Sequence, residues 1–168
     1  MGQISRNAND VVEVSWQPPP GDIIKINFDT SFNQGTGKSV SRILARNREG
    51  LIMAACTFPW ENILDSMMAE AMACLQVVTM AEEMRFQDII VEGDALTIIR
   101  KLNSDENDKS SISSLIKEIK ERGHRFRKLR FEYVPRGANK VAMEWHWKED
   151  NTKTPNTGLR KLRMWWLD

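Results

Sequence analysis

Cysteine is scarce in this chain, long apolar runs and a surplus of either charge are missing, and each shortage removes a class of protein. Only Cys56 and Cys74 carry thiols. Both stand in apolar surroundings with no CxxC or Cys/His grouping, which gives no sign of zinc and suits buried free thiols in a reducing compartment. No apolar run reaches the ~20 residues that span a bilayer. Residues 1–15 are polar and mixed and do not resemble a signal peptide, so the expected address is intracellular, nucleus or cytoplasm, with no membrane partner. Against 24 basic residues stand 23 acidic ones, a formal net charge of +1. Any nucleic-acid surface must therefore be local. A GxxxxGK[ST] phosphate loop is also absent, which weakens a nucleotide-handling reading. What remains is a chain of 168 residues, long enough for one domain with a substantial core.

The hydrophobic pattern divides that chain into elements. Trp16-Gln17-Pro18-Pro19-Pro20-Gly21 is too stiff for helix or central strand and reads as a lead-in segment with Trp16 as its anchor. Ile23 to Asp29, Val40 to Arg46 and Leu51 to Phe58 read as three strands, joined by a glycine-bearing turn at 33–38 and a hairpin loop at Asn47-Arg48-Glu49-Gly50. The period then changes. Met68, Ala71, Leu75 and Val78 recur at helical spacing, predicting one long helix over 63–84. Asp88 to Gly93 is a fourth strand, and Asp94 is placed to cap a helix running to about Asn103. Ile112, Leu115, Ile116 and Ile119 mark a third helix stopped by Gly123. Lys128 to Val134 alternates as a fifth strand, and 138–148 returns to helix. The order β-β-β-α-β-α-α-β-α predicts a mixed α/β (α+β) domain over 16–148, with a loose extension at 1–15 and an atypical polar tail at 149–168.

Three acidic residues carry the chemistry in this pattern. Asp29 closes the first strand-like run, Asp94 closes the fourth, and Glu70 lies between two alanines in the long helix. Parallel strands joined by a helix end at the same sheet edge, where open α/β sheets bind ligands. Carboxylates gathered there repel one another unless a cation intervenes, and an all-oxygen site suits Mg²⁺ or Mn²⁺. Each also has a plainer reading: Asp29 as a turn residue, Glu70 turned outward, Asp94 as a helix cap. The densest basic run, Arg122, His124, Arg125, Arg127, Lys128 and Arg130, is either a solvated face or a phosphate-contacting edge.

Five segments in order resemble one family. They are Trp16–Gly21 followed by Lys25-Ile26-Asn27-Phe28-Asp29, then Ala45-Arg46-Asn47-Arg48-Glu49-Gly50, then Ala69-Glu70-Ala71, then Val91-Glu92-Gly93-Asp94, and last Val134-Pro135-Arg136-Gly137-Ala138-Asn139-Lys140-Val141-Ala142. Together they resemble type-1 ribonuclease H, in particular the plant domains related to the ends of retroelement reverse transcriptases. The resemblance implies a ribonuclease H-like fold, a five-stranded mixed sheet flanked by helices. It implies an endonuclease that hydrolyses the RNA strand of an RNA–DNA hybrid with two divalent ions, Mg²⁺ or Mn²⁺, leaving 5′-phosphate and 3′-hydroxyl ends. Asp29 would bridge both ions, and Glu70 and Asp94 would hold the one on the leaving-group side. Thr30, Arg136 and Asn139 would lie against substrate, although Arg136 and Asn139 also suit a turn and a helix cap. A hybrid is recognised by shape and by its 2′-hydroxyls, so no base-reading motif is expected. The expected unit is a monomer.

The chain departs from the family at four places. Met143 stands where a fourth aspartate is usual, and a thioether is a poor ligand for a hard cation. Glu144 is adjacent but about 100° round the helix. Thr30 and Arg42 stand where glycines are common, close to metal and substrate in the family. After Met143 the likeness ends, in Glu144-Trp145-His146-Trp147 and the polar tail. These departures motivate a second expectation, a catalytically impaired nucleic-acid-binding or interaction module that kept the fold.

Overall fold

A computed structural model describes residues 15–149, with side chains described as far as Met143. The proposed extension at 1–15 and tail at 149–168 lie almost wholly outside those residues. The elements are β1 (Ile24–Asn33), β2 (Lys38–Arg46), β3 (Ile52–Trp60), α1 (Ser66–Glu83), β4 (Asp88–Gly93), α2 (Leu96–Asn103), α3 (Ser113–Gly123), β5 (Lys128–Tyr133) and α4 (Arg136–Glu149). Their order is the one expected from the sequence. The sheet runs β3-β2-β1-β4-β5. The first three strands are an antiparallel meander, while β4 joins β1, and β5 joins β4, in parallel.

Turn chemistry sets the meander's register. Gly37 adopts φ +66° and its N–H bonds the Asn33 carbonyl at 2.9 Å, closing the first hairpin. In the second, the Asn47 carboxamide oxygen accepts from the N–H groups of Glu49 (3.0 Å) and Leu51 (2.9 Å). β1 is longer than its apolar run. It continues past Asp29 because Ser31, Phe32 and Asn33 still pair with Val40, Ser39 and Lys38. Its pairing with β4 ends earlier, at Phe28 opposite Gly93. Asp29 therefore sits not at the strand's end but where β1 loses one neighbour and keeps the other.

Alternation along β1 sends Ile26 and Phe28 into the main core, among Ala71, Val77, Val78, Ile89, Val91, Ile98 and Ile116. Helix α1 covers this side, and α3 packs against α1. Fully buried Ala69, Ala71 and Ala73 let α1 lie close on the sheet. The other β1 face carries Lys25 and Asn27 and meets α4 through polar contacts. Lys25 pairs with Glu92 at 3.0 Å with both side chains about a tenth exposed. Asn27 donates to Glu92 (3.0 Å), and Trp16 donates to Asn27 (3.3 Å) while lying over the Arg46 guanidinium. Among the described residues no helix is long and apolar enough to cross a membrane.

One terminus assignment needs correction. α2 begins at Leu96 after Ala95, with no side-chain cap, so Asp94 does not cap it. α3 ends at Gly123, as expected. The basic run is mostly structural: Arg122 and Arg125 pair with Glu82 (3.5 and 2.7 Å), Arg127 forks onto Asp88 (2.8 and 2.6 Å), and Arg130 pairs with Glu132 (3.1 Å).

Candidate active site

The site begins with a glycine. A Cβ at Gly93 would lie 2.5 Å from the Phe28 ring, so only glycine lets that ring pack across the end of β4. The Gly93 carbonyl also accepts the Val134 N–H at 2.9 Å, tying the start of the β5–α4 connection to the same point. Asp94 follows at once, half-buried, with its carboxylate not committed to the helix behind it. Asp29 is one residue beyond Phe28 on the neighbouring parallel strand. The two aspartates thus share one sheet edge, as the strand pattern predicted.

Glu70 reaches that edge from the second turn of α1, between the fully buried Ala69 and Ala71. Partial burial raises its carboxyl above the ordinary glutamate range, and the negative charge of Asp94 raises it further.

Asp29 has a different partner. Strand register sets it directly opposite Arg42, whose Nε donates to Asp29 Oδ1 at 2.9 Å and whose Nη2 donates to Oδ2. This is a two-toothed guanidinium–carboxylate fork, the strongest geometry for such a pair. Among the described residues no group of three or more His, Cys, Asp and Glu side chains is gathered to hold a metal ion. The expected trio is therefore not gathered into one cluster, and Asp29 is held by an arginine.

The remaining candidates separate by burial. Arg136 is exposed at the start of α4, on the edge that carries Asp94. Thr30 is half-buried beside Asp29, and its Oγ1 has no hydrogen-bond partner among the described residues. Asn139 corrects the expectation of substrate contact. It is 1% exposed, donates to the Phe28 carbonyl at 2.8 Å and accepts from Asn27 at 3.4 Å, so it fastens α4 to β1 from within. Arg46 adds a second fastening at the Ala142 carbonyl, 2.6 Å away. Met143 follows, 9% exposed. Glu144, weighed as its substitute, lies outside the described side chains.

A family model described as reverse transcriptase-like matches residues 27–145. The chain belongs to the reverse transcriptase-like family. No protein with a curated description matches it significantly. Solved structures show that this family member has the ribonuclease H fold. It is similar to RNase H1 of the archaeon Halobacterium salinarum NRC-1, with TM-score 0.65 and 19% identity over 73% of this chain and 92% of that one. It is similar to the N-terminal RNase H domain of a Mycobacterium tuberculosis protein, with TM-score 0.64 and 14% identity over 77% and 99%. A third is LC11-RNase H1 in complex with an RNA/DNA hybrid, with TM-score 0.54 and 17% identity over 72% and 91%.

The donor set of this reverse transcriptase-like chain fits one divalent ion better than two. Mg²⁺ keeps several waters and is commonly held by one or two carboxylates with substrate phosphate. Glu70 and Asp94 meet that description, and their mutual repulsion is what a cation would relieve. A second ion would need Asp29, which is engaged by Arg42, and a ligand at Met143, which has none to offer. The arginine at 42 was legible as unusual, but its partner was not. Counting back from the Asn33–Lys38 hairpin closure would have found it.

Proposed function

We propose that this chain is a divalent-metal-dependent RNA–DNA hybrid ribonuclease of the RNase H type, with turnover limited by an incomplete second ion position. The observation that carries this reading is the shared sheet edge of Asp29 and Asp94 at the adjoining ends of parallel β1 and β4, with Glu70 on the helix that precedes β4. Family membership and the fold supply its context. Glu70 and Asp94 would hold a Mg²⁺ or Mn²⁺ ion, which when bound neutralises charge on the scissile phosphate.

The chain's own residues supply the rest. Asp29, once released by Arg42, is the carboxylate placed to orient the attacking water, since it stands at the same edge without being buried. Arg136 offers a fixed cation to the backbone at the start of α4. The near-zero net charge gives little long-range attraction, so affinity would rest on these local contacts.

A second reading has its own support. The Asp29–Arg42 fork and Met143 together favour a domain that binds hybrid without cutting it. The two are separated with a hybrid, a DNA duplex and single-stranded RNA, each end-labelled and incubated with Mg²⁺ or Mn²⁺. Selective cleavage of the hybrid's RNA strand, with 3′-hydroxyl products, supports the nuclease. Selective retention of uncut hybrid by folded protein supports the binder.

A further inference from the structure

Arg42 and Asp29 face each other across an antiparallel pair, on an exposed row that continues to Thr57 of β3. The guanidinium takes both carboxylate oxygens. Those are the atoms that any cation at Asp29 would need. A fork and a metal ion therefore cannot hold this carboxylate in the same way at the same time. The pair is also placed to open. The Arg42 side chain is 56% exposed, against 19% for Asp29, so water can replace the carboxylate at the guanidinium.

We propose that Arg42 is a built-in counter-ion for Asp29, competing with a divalent ion for that carboxylate and so setting the chain's metal requirement. The inference rests on the nuclease reading for the site at which it acts. With metal scarce, the fork neutralises Asp29 and keeps it ordered. With metal abundant, the guanidinium yields, and its donors are freed beside the position that a substrate phosphate would take. Arg42 is thus a positioning residue, acting through Asp29. Lysine would not replace it, because an ammonium is a point charge that cannot satisfy both oxygens in a plane.

The test is Mn²⁺ titration calorimetry on the full chain, comparing wild type, Arg42→Gln, Arg42→Lys and Arg42→Gln with Asp29→Asn. Metal-free thermal melts check that each is folded. Arg42→Gln is expected to bind Mn²⁺ about tenfold more tightly, equivalent to about 1.4 kcal/mol. Arg42→Lys should fall between it and wild type, and adding Asp29→Asn should remove the gain. An unchanged or weaker affinity in Arg42→Gln overturns the proposal. So does a gain that survives Asp29→Asn, since that would reflect net charge alone. If glutamine disturbs β2, Arg42→Lys must still bind more tightly than wild type. Hybrid cleavage by the same samples scores the nuclease reading separately. Tighter Mn²⁺ binding without cleavage would leave the competition standing and remove the nuclease, and cleavage with unchanged affinity would do the reverse.

Discussion

Glu70 titrates under two pressures, burial first and the charge of Asp94 second, and both favour its protonated form in the folded chain. A carboxyl raised on folding binds its proton more tightly in the native state, so stability falls as pH climbs from the ordinary glutamate range through the raised value. Thermal melts across that range should show wild type losing ground to Glu70→Gln as pH rises, with the gap closing at acid pH. A pH-independent gap would mean that Glu70 does not feel its neighbours. Gly93 offers a second test at this scale. Gly93→Ala drives a methyl to 2.5 Å from the Phe28 ring, and overpacking of this kind costs about 1–3 kcal/mol, measurable by urea unfolding. An unaffected midpoint would contradict the close packing. The three acidic residues were legible because each has a distinct local setting: a strand run, an alanine pair, a strand followed by a helix. The fork was not, because it joins residues whose meeting depends on hairpin register and not on local pattern.

At the level of elements, hydrophobic period and turn residues predicted all nine in the right order, and the differences have physical causes. β1 outruns its apolar stretch because β2 continues to supply hydrogen-bond partners as far as Lys38, and such pairing is blind to the polarity of Ser31 and Asn33. The cap assigned to Asp94 failed because α2 starts one residue later, while Asp65, not singled out in the sequence, caps α1 through the Met68 N–H at 2.7 Å. α4 reads from sequence only as a return to helix, and its attachment is polar. Asn139 reaches the Phe28 carbonyl and Asn27, and Arg46 reaches Ala142. Removing the carboxamide leaves buried partners unsatisfied, so Asn139→Ala should destabilise the chain by about 1–3 kcal/mol in chemical denaturation. It should also weaken any activity that depends on the Asp29 position, since Phe28 precedes Asp29 directly. Full stability in Asn139→Ala would show that α4 is held by its apolar contacts alone.

For the whole molecule, one sheet does the gathering. Two parallel strands place Asp29 and Asp94 side by side, the crossover helix between them delivers Glu70, and the meander delivers Arg42. RNase H1 structures only 14–19% identical to this chain share its fold. On the proposed reading, the guanidinium of Arg42 balances Asp29 and a divalent ion would balance Glu70 and Asp94. Asp94 is the most exacting place to test this, because among the described residues it caps no helix and joins no salt bridge, so its loss should leave the fold alone. The decisive measurement is single-turnover cleavage of an end-labelled RNA–DNA hybrid in Mn²⁺ by wild type and by Asp94→Asn of equal thermal stability. The account predicts RNA-strand cleavage by wild type and a loss of at least about a hundredfold in the variant, the scale expected when a charge-stabilising group is removed. Equal rates in the two proteins, or no cleavage by either, would contradict it.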